Sequence, residues 1–377
     1  MSAQQGTDTI SRLDNLLSYL EDDPQNLTLL ADAAAQALSE QKPEIGLDLL
    51  DRRAALSPPG AAERNLEGLA RISAGDYAGA TDVFRALRAQ DGSDPTLKFN
   101  LAWALAMDRH ADEALAQLDN AATSALPQAA MLHIQLLHDA GKFDEAADHA
   151  RIFLKQHPDD PGLNAAISVL ALDIEDKDLA RASAKRGGEH PDALATLGTL
   201  ALGEDRSIEA LGQFDRAIAL KQTVPRAWVG RGLAKLMTGD SASAPADIDR
   251  GAELFGDHLG SWIAAGWSYV VAGDLKLARE RFDKALSLDP TFAESHGSLA
   301  ALDAMEGRVR QAEQGARTAL RLDRQCFSAA LAKTLLANHD GNPAAAQQFF
   351  QSAINIPINA EGQTIAQSLV RMGLLAP

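Results

Sequence analysis

Residues 259–292 read LGSWIAAGWSYVVAGDLKLARERFDKALSLDPTF, two apolar-periodic runs parted by Gly273-Asp274 and closed by Asp289-Pro290. Glycine placed just after a helix adopts the left-handed conformation that ends it. Proline stops a helix in progress and is tolerated at the start of the next. The stretch therefore reads as helix, tight turn, helix, stop. Small residues on each run, Gly266 and Ala278, let the two helices approach, and Phe282 is the bulk that fills the space between them.

Outward from this stretch the same arrangement recurs. A small residue opens the second helix of each copy at Gly46, Ala80, Ala114, Ala146, Ala180, Ala210, Ala244, Ala278, Ala312 and Ala346, at intervals of 34, 34, 32, 34, 30, 34, 34, 34 and 34 residues. A large apolar residue follows four positions later in most copies, among them Phe84, Leu118, Phe214, Ile248 and Phe350; Ala150, Ala184 and Ala316 take its place in three. Glycines recur at the turns, at Gly75, Gly141, Gly239 and Gly307, and Asp-Pro or His-Pro steps close copies at Pro24, Pro95 and Pro158. Asp159-Asp160 at such a junction reads as a helix cap, not a catalytic pair. A unit this short buries its apolar face only against its neighbours, so the whole chain reads as one stacked array. With aromatics at 5% and no Val/Ile/Thr-rich runs, the expected fold class is all-α.

A 34-residue period with this internal pattern resembles the tetratricopeptide repeat family. Trp262, Gly266, Tyr269, Gly273, Ala278, Phe282, Ala285 and Pro290 match its signature in the best copy, with Ala265 replacing the leucine. The copy at 191–224 supplies Leu197, Gly198, Ala210, Phe214 and Ala217. The resemblance covers residues 24–354, and it implies a right-handed α-α superhelix of about ten repeats. It also implies a non-enzymatic scaffold or assembly factor of bacterial type, holding a protein segment on the concave face made by the first helices.

The ends and one joint depart from the period. Residues 1–23 are expected to carry an N-terminal capping helix, with Ile10, Leu13, Leu16, Leu17 and Leu20 on one face, and residues 358–377 a C-terminal one with Ile365, Leu369 and Met372. Between them lie an N-terminal array, 24–188, and a C-terminal array, 189–357. The 30-residue interval predicts a short second helix at about 177–186 closed by Gly187-Gly188. That joint is either a kink or a boundary between arrays, the kink being favoured because short connections keep elements adjacent.

Charge and motifs narrow the function. The net charge is −17, and residues 1–188 carry 30 acidic against 17 basic side chains, so nucleic acid and anionic membranes are not expected partners. The N-terminus lacks a signal-type apolar run and no window approaches a membrane span, giving a soluble, cytoplasmic expectation. Gly230-Arg231-Gly232 fails as a phosphate cradle because Lys235 stands where a third glycine belongs and no strand precedes it. No nucleophile elbow, P-loop or zincin helix occurs. The nine histidines show no ligand spacing, and the single cysteine, Cys326, excludes an intramolecular disulfide and reads as a packed thiol. No enzyme, cofactor or metal is expected.

The resemblance places groove residues at repeat positions 2, 5, 6, 9, 12 and 13. These are Phe99, Asn100, Trp103 and Met107, then Met131 and Gln135, then Arg226, Leu233 and Met237, and then Ile263, Trp267 and Val271. Trp228 and Trp262 fall on the core position, whereas Trp103 and Trp267 fall on the groove, where a bulky aromatic is a binding anchor or packs between first helices. The Lys/Asn/Arg set with which some family members clamp a C-terminal carboxylate is broken at Ala62, Leu69, Gln128, Met131 and Leu132. The expected partner is an apolar or amphipathic protein segment; a homo-oligomer, or a regulatory module working beside a separate enzyme, are the alternatives.

Overall fold

The computed structural model describes residues 11–355 and Thr364. Among residues 11–355 the regular secondary structure is helical, twenty-two helices from Arg12–Asp22 to Pro343–Ile354. Two compact units divide at Leu170 and Ala171, within the helix Pro161–Asp173. The expected cap at 358–377 lies outside the described residues.

In the N-terminal unit the chain opens with a capping box at Ser11, whose side chain accepts from Asp14 N while Asp14 accepts from Ser11 N. The helix it starts buries Leu13 and Leu20 against the following helix, Leu27–Ser39. Pairs of antiparallel helices then alternate along the unit. Asp160, expected as a cap, accepts from Leu163 N at 2.8 Å. Where glycine faces a neighbour, the contact is close: a Cβ on Gly68 would lie 2.5 Å from the Phe84 ring, which is fully buried.

The third pair of this unit is irregular in a way the period only hinted at. Its second helix is split into Ala111–Gln117 and Asn120–Ala125, the break falling where the repeat interval is 32 residues. Asp119 begins the second piece by accepting from Ala122 N, and its carboxylate takes the ammonium of buried Lys98 at 2.5 Å. Lys98 first, and the Ala122 N–H next, hold the Asp119 carboxyl below the usual carboxylate range. The kinked backbone also turns Leu118 O toward His133 Nδ1, 3.3 Å away.

The C-terminal unit is more regular. Its short second helix runs Lys177–Gly187 and ends at Gly188, whose φ is +57°. Later repeats repeat one contact: a Cβ on Gly198 or Gly266 would sit 2.6 or 2.2 Å from Phe214 or Phe282, and one on Gly232 2.4 Å from Ile248. These three large side chains are fully buried. Trimming one to alanine would cost about 3–5 kcal/mol for phenylalanine.

The turn inside each repeat carries one left-handed residue throughout the array. It is glycine at Gly75, Gly141, Gly239, Gly273, Gly307 and Gly341, and a non-glycine at Gln41, Arg109, Glu175 and Asp205, with φ between +58° and +89°. In every copy the next residue's N–H turns back onto a carbonyl of the first helix, as Asp274 N does onto Tyr269 O at 2.9 Å. The conformation is therefore imposed by the helical hairpin, whichever side chain occupies it.

Candidate protein-binding site

An apolar cavity lies among the first helices of the C-terminal unit. Three successive first helices, Leu259–Ala272, Ala293–Met305 and Phe327–His339, enclose a cavity of about 400 Å³ near their N-terminal ends. Gly260, Ile263 and Trp267 come from the first, Phe292 and Glu294 from the second, and Phe327, Ser328 and Leu331 from the third. Its accessible lining is almost wholly apolar. A pocket of this size and character suits a few side chains of a partner.

Small residues build it. Gly297 faces the third helix so closely that a Cβ would lie 2.7 Å from Ala329 N and from Cys326 Sγ. Ser298 and Ser328 are both buried, and Ser298 donates to Ser328 Oγ at 3.1 Å. Trp267 in turn donates its indole N–H to Ser298 Oγ, also at 3.1 Å. Its ring stands edge-on to Phe282, with centroids 5.4 Å apart. The indole is thus fixed from behind by Phe282 and at its polar corner by Ser298, leaving part of its apolar surface to form the pocket wall. Further down the same helix Tyr269 donates to Asp249 Oδ2 at 2.7 Å, where Arg281 also binds through two hydrogen bonds. Burial first, and the Asp249 carboxylate second, push the Tyr269 phenol up to about 12.

Glu294 is the one ionisable residue in the lining. Its two oxygens accept from the backbone N–H groups of Phe327 at 2.7 Å and Ser328 at 3.3 Å, so it caps the third helix from the second. Cys326 beside it is 1% exposed, and its Sγ lies 3.5 Å from Ala293 O. Burial pushes the thiol up to about 12, which leaves it protonated and unreactive at neutral pH.

The residues expected in the groove divide by this geometry. Ile263 and Trp267 line the pocket, and Met237 and Val271 lie on the same helix row outside it, 42% and 62% exposed. Leu233 is exposed near Met237, while Arg226 pairs with Asp173 at 3.0 Å. In the N-terminal unit Phe99 and Trp103 are half-buried on their core cluster with rings 6.2 Å apart. Asn100 is buried and donates to Asn65 Oδ1 at 3.1 Å. Met107 is exposed, Gln135 half-buried, and the Met131 sulfur packs over Gly162.

Six lining residues, Gly260, Phe292, Glu294, Phe327, Ser328 and Leu331, and exposed Met305 were not singled out from the sequence. The signal for most of them was present: in the copies beginning at Leu259, Ala293 and Phe327, the same register gives Gly260, Glu294 and Ser328 at position 2, Leu331 at position 5 and Met305 at position 13. Phe292 and Phe327 sit at the helix entries, where no groove rule applies. Among the described residues no group of three His, Cys, Asp or Glu side chains is placed to hold a metal ion.

Known proteins agree with the architecture. The tetratricopeptide repeat model matches residues 65–130 and 132–194. The human superkiller complex protein 3 is 28% identical over 148 residues, a match covering 37% of this chain and 9% of that protein. Among solved structures, the human IFIT1 dimer with PPP-AAAA aligns over 93% of this chain and 96% of its own, with a TM-score of 0.52 and 11% identity. A tetratricopeptide repeat protein from Parabacteroides merdae aligns over 61% of this chain and 93% of its own at 16% identity and a TM-score of 0.46. Residues 65–130 and 132–194 are thus similar to tetratricopeptide repeats, which indicate protein-interaction scaffolds in general, and the helical hairpin they share recurs through the all-α fold of the described residues. Among the described residues no helix is long and apolar enough to cross a membrane.

Proposed function

We propose that the chain is a non-catalytic scaffold that holds a protein segment against its first helices, with the pocket beside Trp267 as the principal anchor point and the cytoplasm as its compartment. The observation that carries the reading is the fixed indole: an aromatic wall held by Phe282 and Ser298 is already in its binding geometry, so little ordering entropy opposes capture. The exposed row of Met237, Val271 and Met305 extends the apolar surface beyond the pocket, and methionine adapts to varied partners. The Phe99–Trp103 pair is a second, shallower apolar centre in the N-terminal unit.

A net charge of −17 favours a protein partner over RNA, although the IFIT1 structure holds PPP-AAAA. The test is partner capture by crosslinking in the native cell, comparing wild type with Trp103→Ala and Trp267→Ala. Loss of the captured protein with Trp267→Ala, at unchanged helical content, is the expected result. Capture that survives both substitutions, or tight binding of a labelled PPP-AAAA oligonucleotide, overturns the reading.

A further inference from the structure

The pocket beside Trp267 combines an apolar lining with polar groups that already satisfy one another. Four donors at its floor and rim are engaged within the protein: the Trp267 indole N–H on Ser298, the Ser298 hydroxyl on Ser328, and the Phe327 and Ser328 N–H groups on Glu294. The start of a helix ordinarily offers its first N–H groups to an incoming anion. Here the carboxylate of Glu294 occupies that place from within the chain. A partner's carboxylate entering the pocket would find these donors taken and a like charge beside it, on a lining that offers it no hydrogen bond in exchange for water.

We infer that Glu294 sets the specificity of this pocket, so that it takes an uncharged apolar side chain from an internal stretch of a partner protein and rejects acidic side chains and chain-terminal carboxylates. The inference rests on the proposed pocket and adds the chemistry of its occupant. It separates this solenoid from a receptor for free C-termini on a positive ground, an internal carboxylate in the anion's place, beyond the lack of cationic clamp residues in the sequence. The exclusion of anions follows from the Glu294 carboxylate, and the uncharged, apolar character of the occupant from the lining.

The experiment uses the full chain and the neutral fluorophore N-phenyl-1-naphthylamine, displaced by either 4-methylpentanamide or 4-methylpentanoate, which share one branched hydrocarbon and differ in charge. The amide is expected to displace the dye from wild type at a concentration at least tenfold lower than the carboxylate. Glu294→Gln should narrow that ratio to less than threefold by strengthening the carboxylate alone. Equal displacement in wild type overturns the inference, as does a ratio that Glu294→Gln, folded by circular dichroism, leaves unchanged. If Glu294→Gln does not fold, Glu294→Met, which removes the charge and keeps a side chain of similar length, carries the same comparison. Trp267→Ala separates the two readings: if the dye binds that variant as it binds wild type, the pocket assignment fails, and the selectivity of Glu294 falls with it.

Discussion

Trp267 donates its indole N–H to Ser298 Oγ at 3.1 Å, joining the first helices of two neighbouring repeats through a residue that also walls the pocket. The bond has two consequences that substitutions can part. Trp267→Phe keeps an aromatic wall but loses the N–H and part of the indole bicycle, so its expected cost is about 1 kcal/mol or slightly more with capture retained. Trp267→Ala removes the wall and part of the packing on Phe282, with an expected cost of about 2 kcal/mol and loss of capture. Denaturant titration and pull-down on the same preparations separate the effects. Equal loss of capture in both variants would show that a phenyl wall does not suffice and that the partner needs the full indole held by Ser298.

Periodicity made the array legible because every repeat solves the same packing problem: glycine or alanine where helices touch, and a large residue such as Phe214 or Phe282 one helix away. The short helix ending at Gly187 was legible for the same reason, since deleting four residues from a helical period removes about one turn. The split helix at Leu118 was only hinted at by the 32-residue interval, because the pair beside it joins Asp119 to a buried lysine, Lys98, at a position where the period implies only another helical residue. At the site, Ile263 and Trp267 followed from register, but the role of Glu294 depends on its reach to two N–H groups 33 and 34 residues along the chain. Local sequence holds no trace of such a contact.

The Lys98–Asp119 pair should respond unequally to removal of its two members. Lys98 is buried, whereas the Asp119 side chain is 48% exposed. Asp119→Ala strands an ammonium in the core and removes the cap of Asn120–Ala125, with an expected destabilisation of about 3 kcal/mol or more. Lys98→Met leaves a carboxylate that water can still reach and replaces a charge with a hydrophobe of similar length, so its effect is expected to stay within about 1 kcal/mol. Urea unfolding of both variants checks the asymmetry, and equal losses would mean that the pair is not what holds the split helix.

The ladder of left-handed turn residues gives a prediction of opposite sign at different copies. Arg109 and Glu175 occupy a conformation that costs a non-glycine residue about 1 kcal/mol, partly offset by the greater unfolded-state entropy of glycine. Arg109→Gly and Glu175→Gly are therefore expected to stabilise the array by roughly 0.5 kcal/mol each. Gly273→Ala imposes the same strain on a turn that lacks it and is expected to destabilise by about 1 kcal/mol or slightly more. Thermal melts of the three variants test the ladder, and a stabilised Gly273→Ala would contradict it.

The last expectation concerns pH. His133 stacks on His149 with ring centroids 4.4 Å apart and edge-on to Phe153 at 5.5 Å. Burial first, and the neighbouring His149 second, bring the His133 imidazole down to about 4, against 6.5 for an ordinary histidine. The folded protein thus binds a proton at this site less readily than the unfolded chain does. The stability tied to a neutral His133 is complete above about pH 6.5, declines as the unfolded chain takes up its proton, and is exhausted near pH 4. The hydrogen bond to Leu118 O first, and the Glu145 carboxylate second, oppose the shift and limit it. Urea midpoints for wild type should fall between pH 7 and pH 5, and His133→Leu, which cannot take up the proton in either state, should flatten that fall. A slope as steep in His133→Leu as in wild type would assign the acid sensitivity to other groups.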